Sequence, residues 1–237
     1  RQGASRLLLA EDNEINQQVA QGVLEDIGIV LDIASNGVEA LRLAGEAHAA
    51  GKPYEAVLMD MQMPEMDGLS CTRELRRDAR HAALPIIAMT ANAMAGDREA
   101  CIAAGMNDHV AKPFQVDHLF ATLMKWLPAR GSATPLPSLS TAAAAGALPR
   151  LPGVDTAQGL AQTGGKAARY LDLLKRFQRG QAEAPQQIEA AMRDGDSELA
   201  VRLAHTLRGT AGTLGAEGLQ RIAAELALGR SAAPAAP

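Results

Sequence analysis

The 237-residue sequence predicts two unlike domains: a doubly wound α/β domain built on a five-stranded parallel sheet, and an all-α helical bundle. Three observations carry this. Short apolar runs alternate with amphipathic helical stretches over residues 1–129. Residues 130–154 then turn to proline, serine, alanine and glycine. From residue 155 onward the pattern is helical only.

Five runs read as strands: "RLLLAED" (6–12), "IVLDIAS" (29–35), "YEAVLMD" (54–60), "LPIIAMT" (84–90) and "DHVAK" (108–112). Segments 7–10, 56–59 and 86–89 are continuously apolar, as strands covered on both faces are. Ile15, Val19, Val23 and Ile27 recur every fourth residue and mark one helix. Val116, Leu119, Phe120, Leu123 and Leu127 mark another. Residues 130–154, "RGSATPLPSLSTAAAAGALPRLPGV", lack amphipathic period and read as a flexible linker. As a loose coil it would span roughly 25–30 Å. Beyond it, "KAARYLDLLKRFQRG" and "PQQIEAAMRDG" form one helix bent near Pro185, or two. "DSELAVRLAHTLRGTAGTLG" and "EGLQRIAAELALG" follow, the first with Asp196 or Ser197 as its cap. The segment from 155 to 229 is expected to pack as an antiparallel bundle, with 230–237 a tail.

Composition narrows the classes. The chain is 47% hydrophobic and 21% charged with a net charge of −4, as a water-soluble globular protein would be. The acidic excess lies in the first 129 residues, and no basic stripe suggests nucleic-acid binding. No apolar run reaches the roughly 18–20 residues of a membrane span, and no signal-peptide pattern opens the chain. The first residue is Arg1, so a piece of a longer protein is expected, whose missing part could hold a membrane anchor, with this part cytoplasmic. Cys71 and Cys101 form no metal or redox motif and read as small apolar residues in a reducing compartment.

Polar residues cluster at the carboxyl ends of the strands. Glu11 and Asp12 follow the first, Asp60 ends the third, Thr90 the fourth, and Lys112 the fifth. In doubly wound sheets ligands bind in the crevice outside those ends. Three carboxylates brought together repel one another and call for a hard cation such as Mg²⁺. Lys112 adds positive charge and Thr90 a hydroxyl. Such a set suits a phosphoryl group that a carboxylate attacks in line. Any single Asp after a strand is often a cap or turn former. The combined pattern "LLLAEDN…VLMDMQMPEMDG…IIAMTANA…DHVAKPF" is hard to produce by capping alone.

Residues 6–128 resemble a response-regulator receiver domain, with the flavodoxin-like strand order 2-1-3-4-5. That resemblance implies Asp60 as phosphate acceptor. It implies Mg²⁺ held by Glu11, Asp12, Asp60 and the backbone carbonyl of Gln62. Thr90 would move toward the bound phosphate, Lys112 would pair with it, and the Lys112–Pro113 bond would be cis. His109 stands where relatives carry a switch Tyr or Phe. A Thr90–His109 coupling and a half-exposed strand-end histidine are both open there.

The helix bearing "LAHTLRGTAGTLGA" (203–216) carries glycines that each cost about 1 kcal/mol relative to alanine. At 100° per residue, Leu199, Leu203, Leu207 and Leu214 form one stripe with Thr206 and Thr210 among them. His205 lies nearly opposite, with Gly209 and Gly212 on its face and Arg208 beside them. The expectation is a bare, shallow surface that lets another protein reach the imidazole, with Arg208 attracting phosphate oxygens. A metal site would want a ligand at i+4, where Gly209 stands, and no Gly-x-Ser-x-Gly elbow is present. The segment is similar to the histidine phosphotransfer (HPt) motif, which implies His205 as the phosphorylated residue. Relatives usually place lysine where Arg208 stands. The resemblance runs from about 153 to 229. Relatives continue with a long helix that "GRSAAPAAP" cannot supply. A truncated bundle, weakly stable or self-associating through an uncovered groove, is therefore expected.

The order receiver, linker, HPt resembles the C-terminal part of a hybrid sensor histidine kinase. It implies a phosphorelay from an upstream histidine kinase domain to Asp60, then His205, then a downstream response-regulator receiver. No ATP-binding glycine motif is visible. Two alternatives stand beside it. One is a docking module or phosphate sink with an inert HPt segment. The other is a phosphoaspartate hydrolase, which would want a second Asp where Gln62 stands.

Overall fold

The computed structural model describes residues 5–90, 95–127 and 148–227, with backbone only at 95–97. The chain divides into two compact units, Arg1–Ser138 and Leu139–Pro237. No described helix is long and apolar enough to cross a membrane.

The first unit alternates strand and helix: β1 (Arg6–Ala10), α1 (Glu14–Glu25), β2 (Val30–Ala34), α2 (Gly37–Ala49), β3 (Ala56–Asp60), α3 (Gly68–Arg77), β4 (Ile86–Thr90), α4 (Ala95–Ala104), β5 (Asp108–Ala111) and α5 (Val116–Trp126). The sheet order is β2-β1-β3-β4-β5, with every pairing parallel. This is the order expected. Leu7–Ala10, Ala56–Met59 and Ile86–Met89 are buried throughout, because helices cover both faces of the central strands. β2 lies at the edge and leaves Val30 exposed.

Asparagine and aspartate start the helices. Asn13 accepts from the N–H groups of Ile15 and Asn16, Asn36 from Glu39, and Asp67 from Ser70. The buried residues of α2 are Gly37, Ala40, Ala44 and Ala47. Alanine gives only a faint apolar period, so the sequence places this helix less sharply than α1 or α5. Gly68 meets a tighter demand. A Cβ there would collide with the Asp60 carbonyl oxygen and lie 3.0 Å from its carbon, so the start of α3 presses directly on the end of β3.

The second unit contains α6 (Thr156–Gln162), α7 (Ala167–Gln181), α8 (Ala184–Arg193), α9 (Ser197–Thr213) and α10 (Glu217–Ala227). Pro185 lies in the first turn of α8, so the stretch around it is two helices rather than one bent helix. Asp196 caps α9 by accepting from Leu199 N–H at 3.0 Å. The short α6, capped by Asp155, is a separate element that the helical pattern did not distinguish. Ala204, Leu207, Ile188 and Ala223 share a core with Phe177, Leu203 and Leu219 packed against it.

The carboxyl end of α9 is held from outside. Tyr170 Oη donates to Leu214 O at 2.8 Å, and the Asp155 N–H donates to Gly215 O at 2.8 Å. With its amide nitrogen turned inward, Gln162 donates to the carbonyls of Gly212 (2.8 Å) and Thr213 (2.9 Å). These contacts satisfy carbonyls that a helix end otherwise leaves without partners. Beside α9, a hollow of about 260 Å³ opens between Phe177, Pro185, Leu207 and Leu219. Residues 130–147 of the expected linker, and the whole of the expected tail, 230–237, lie outside the described residues. Of the linker, residues 148–154 are described and include a turn from Leu151 to Val154.

Gly68→Ala is expected to destabilise the first unit by about 1–3 kcal/mol, because a backbone carbonyl cannot yield as a side chain would. Urea unfolding followed by circular dichroism measures it.

Candidate functional site

Parallel pairing sets the strand ends side by side. Ala10 pairs with Met59, Asp60 with Met89, and Thr90 with Ala111. Each strand therefore delivers its final or following residue to one crevice. Glu11 and Asp60 are buried, at 1% and 4% exposure, while Asp12 is half-buried. One ligand atom from each of Glu11, Asp12 and Asp60 lies within 4.8 Å of the others. The expected acid cluster is thus assembled from two strands separated by almost fifty residues.

The Lys112 ammonium lies inside this cluster. Its Nζ is 2.5 Å from Glu11 Oε2 and 2.7 Å from Asp60 Oδ2, and its side chain is only 7% exposed. Burial alone would lower the lysine, but the two carboxylates hold it well above the usual lysine range. For Glu11, burial outweighs the pull of Lys112, and Asp60 adds repulsion. Its carboxyl is raised to about 7. The Lys112–Pro113 bond is cis, as the resemblance implied.

Two residues that hold Glu11 escaped the sequence reading. Asn16 Nδ2 donates to Glu11 Oε1 at 2.9 Å, and Gln17 Nε2 donates to Glu11 O at 2.6 Å. A signal was available: Asn16 is an amide on the otherwise apolar face of α1. Gln62 places its backbone N–H 3.3 Å from Asp60 Oδ1, with its side chain exposed. Thr90 is 3% exposed, and its Oγ1 has no hydrogen-bond partner among the described residues. A buried hydroxyl left unsatisfied costs about 1–3 kcal/mol, which an incoming acceptor oxygen would relieve. His109 pairs with Ala88 in the ladder, and its Nδ1 lies 3.9 Å from Asp108 Oδ1. Among the described contacts it does not reach Thr90.

In the second unit His205 is half-buried on α9, with Arg208 and Gly209 half-buried one turn further on. The expected bare surface is only partly present. Gly212 is buried, because the Gln220 side chain from α10 lies over it. There, the missing side chain serves packing between α9 and α10, not open access. The buried face of α9 also rests more on Ala200, Ala204 and Ala211 than the leucine stripe suggested.

The Glu11 shift has a sign. A carboxyl raised above its unfolded value binds more protons folded than unfolded between about 4.5 and 7, so its contribution to stability falls as pH rises through that window. Without divalent ions, Glu11→Gln is expected to gain stability relative to the unsubstituted chain across this window, by on the order of 3 kcal/mol at most. Paired urea titrations at pH 5 and pH 8 measure the difference.

Comparison with known proteins agrees with this geometry. The family described as response regulator receiver domain matches residues 7–124, and the Hpt domain family matches residues 172–236. The sensor histidine kinase GacS of Pseudomonas protegens is 31% identical over 217 residues, covering 87% of this chain and 22% of GacS. The signal transduction histidine-protein kinase BarA of Shigella flexneri is 28% identical over 221 residues, covering 92% of this chain and 23% of BarA. The chain therefore spans less than a quarter of the length of these two relatives. The receiver domain of the sensor histidine kinase PA1611 from Pseudomonas aeruginosa, solved with a magnesium ion in its active site cleft, is 42% identical. That match covers 52% of this chain and 98% of the other, with a TM-score of 0.48. By the two family matches and by its own strand order, the chain belongs to the response-regulator receiver family over residues 7–124 and to the Hpt family over residues 172–236.

Proposed function

We propose that this chain is a phosphorelay segment of a hybrid sensor histidine kinase, in which Asp60 accepts a phosphoryl group and His205 carries one onward. The convergence of Glu11, Asp12 and Asp60 beside a buried Lys112 carries the reading. Such a set of oxygens has the hardness and charge for Mg²⁺, with Glu11, Asp12, Asp60 and the Gln62 carbonyl as its ligands. When bound, the ion neutralises phosphoryl oxygens. Everything else is done by the chain.

An Asp60 oxygen attacks phosphorus in line. A P–O bond forms as the P–N bond of the donor phosphohistidine breaks, and the electron pair returns to the imidazole. Lys112 is placed to exchange a carboxylate contact for one to the phosphoryl group, and the Thr90 hydroxyl is free to donate to another of its oxygens. Transfer to His205 runs the same exchange in the opposite sense, with a ring nitrogen as nucleophile and Arg208 supplying charge. The donor is a kinase phosphohistidine outside this chain, and the final acceptor is a separate receiver. The match of GacS and BarA across both segments supports this placement. The exposed Gln62, two residues after Asp60, offers no second acid for a phosphohydrolase.

Phosphoramidate with Mg²⁺ tests the reading on the full chain. Label is expected in two forms, a base-labile acyl phosphate and an acid-labile phosphohistidine. Asp60→Asn should remove the first and His205→Gln the second. Chelating Mg²⁺ should slow labelling of Asp60 by more than about tenfold. Label that survives Asp60→Asn in base-labile form would overturn the assignment of the acceptor. Label on Asp60 alone would favour a docking module or phosphate sink.

A further inference from the structure

The side chain covering Gly212 has no part in the chemistry above. A Cβ on Gly212 would collide with Gln220 Nε2 and lie 2.8 Å from its Cδ, so the amide occupies the space that a side chain on Gly212 would fill. Gln220 belongs to the first turns of α10 and is half-buried, so part of it faces outward. Gly212 follows His205 by seven residues. Two turns of helix bring it back to within about 20° of the same face, roughly 10 Å further along the axis.

An amide therefore stands on the face that carries the histidine, with Arg208 between them. Its resting place is that space, so holding it in one rotamer loses little further entropy when a partner arrives. An amide offers both a donor and an acceptor. The matching partner groups are the backbone N–H and C=O of a loop at the carboxyl edge of a parallel sheet, where the acid pocket of a receiver domain opens.

We propose that Gln220 is a specificity-determining contact for the receiver domain that exchanges phosphate with His205, an inference that rests on the phosphorelay reading. It touches the docked partner and not the reacting phosphorus. Its loss is therefore expected in the concentration dependence of transfer and not in the limiting rate.

The test uses the full chain as both partners. The donor is the Asp60→Asn chain labelled on His205 with phosphoramidate, the P–N bond of the reagent breaking as ammonia leaves. The acceptor is the His205→Ala chain with Mg²⁺, in which Asp60 takes the phosphoryl group from the imidazole. Initial transfer rates are measured against acceptor concentration. In the donor, Gln220→Leu is expected to raise the half-saturating concentration about fivefold, the worth of one hydrogen bond, and to leave the limiting rate and phosphoramidate labelling unchanged. Gly212→Ala, which fills that space and displaces only a flexible side chain, is expected to act the same way. Gln220→Asn should recover part of the loss. An unchanged half-saturating concentration in both variants overturns the assignment. So does a parallel fall in phosphoramidate labelling, which marks damage to the fold. No label on His205 of the donor overturns the phosphorelay reading and this inference with it.

Discussion

One ammonium group organises the acidic crevice. Lys112 contacts carboxylates from two different strands, Glu11 after β1 and Asp60 at the end of β3, and all three side chains are almost removed from water. Without it, Glu11 and Asp60 would face each other as buried like charges, a state that drives one of them to hold a proton. With it both carboxylates keep a cationic partner, although burial still raises the Glu11 carboxyl. Lys112 follows β5, at the far side of β4 from Asp60, so the interaction spans most of the sheet.

The supporting structure explains how such a pair is tolerated. Two buried charges are costly unless every lone pair and proton finds a partner. Asn16 takes the second oxygen of Glu11, and Gln17 takes its backbone carbonyl. Gly68 lets the start of α3 press on the carbonyl of Asp60. Among the described residues the Thr90 hydroxyl has no partner, and it stands at the end of β4. An incoming oxygen would find a donor there.

The helical unit solves a different problem. Its histidine helix is poor in large side chains, and its end is fixed by partners from earlier in the chain: Tyr170, Gln162 and the Asp155 amide. Tyr170 is fully buried, and Gly159 leaves room for its ring. These residues precede the part matched by the Hpt family, at 172–236. The unit therefore depends on contacts that a motif centred on His205 does not display.

The local sequence marked the strands, because short continuous apolar runs such as Leu7–Ala10 and Ile86–Met89, alternating with amphipathic helical stretches, suit strands covered on both faces. It also determined which residues end those strands, and so the members of the acid cluster. Helices whose buried face is alanine, such as α2, were less legible, since alanine carries little hydropathic contrast. Only the tertiary structure decided which partner each polar group takes: Lys112 bridging Glu11 and Asp60, Asn16 on Glu11, His109 beside Asp108. The same is true of Gly212. A helical wheel places it on a surface but cannot say that a neighbouring helix lays Gln220 across it. Periodicity reports which way a side chain points, whereas its neighbour depends on how separate elements pack, and no single segment encodes that.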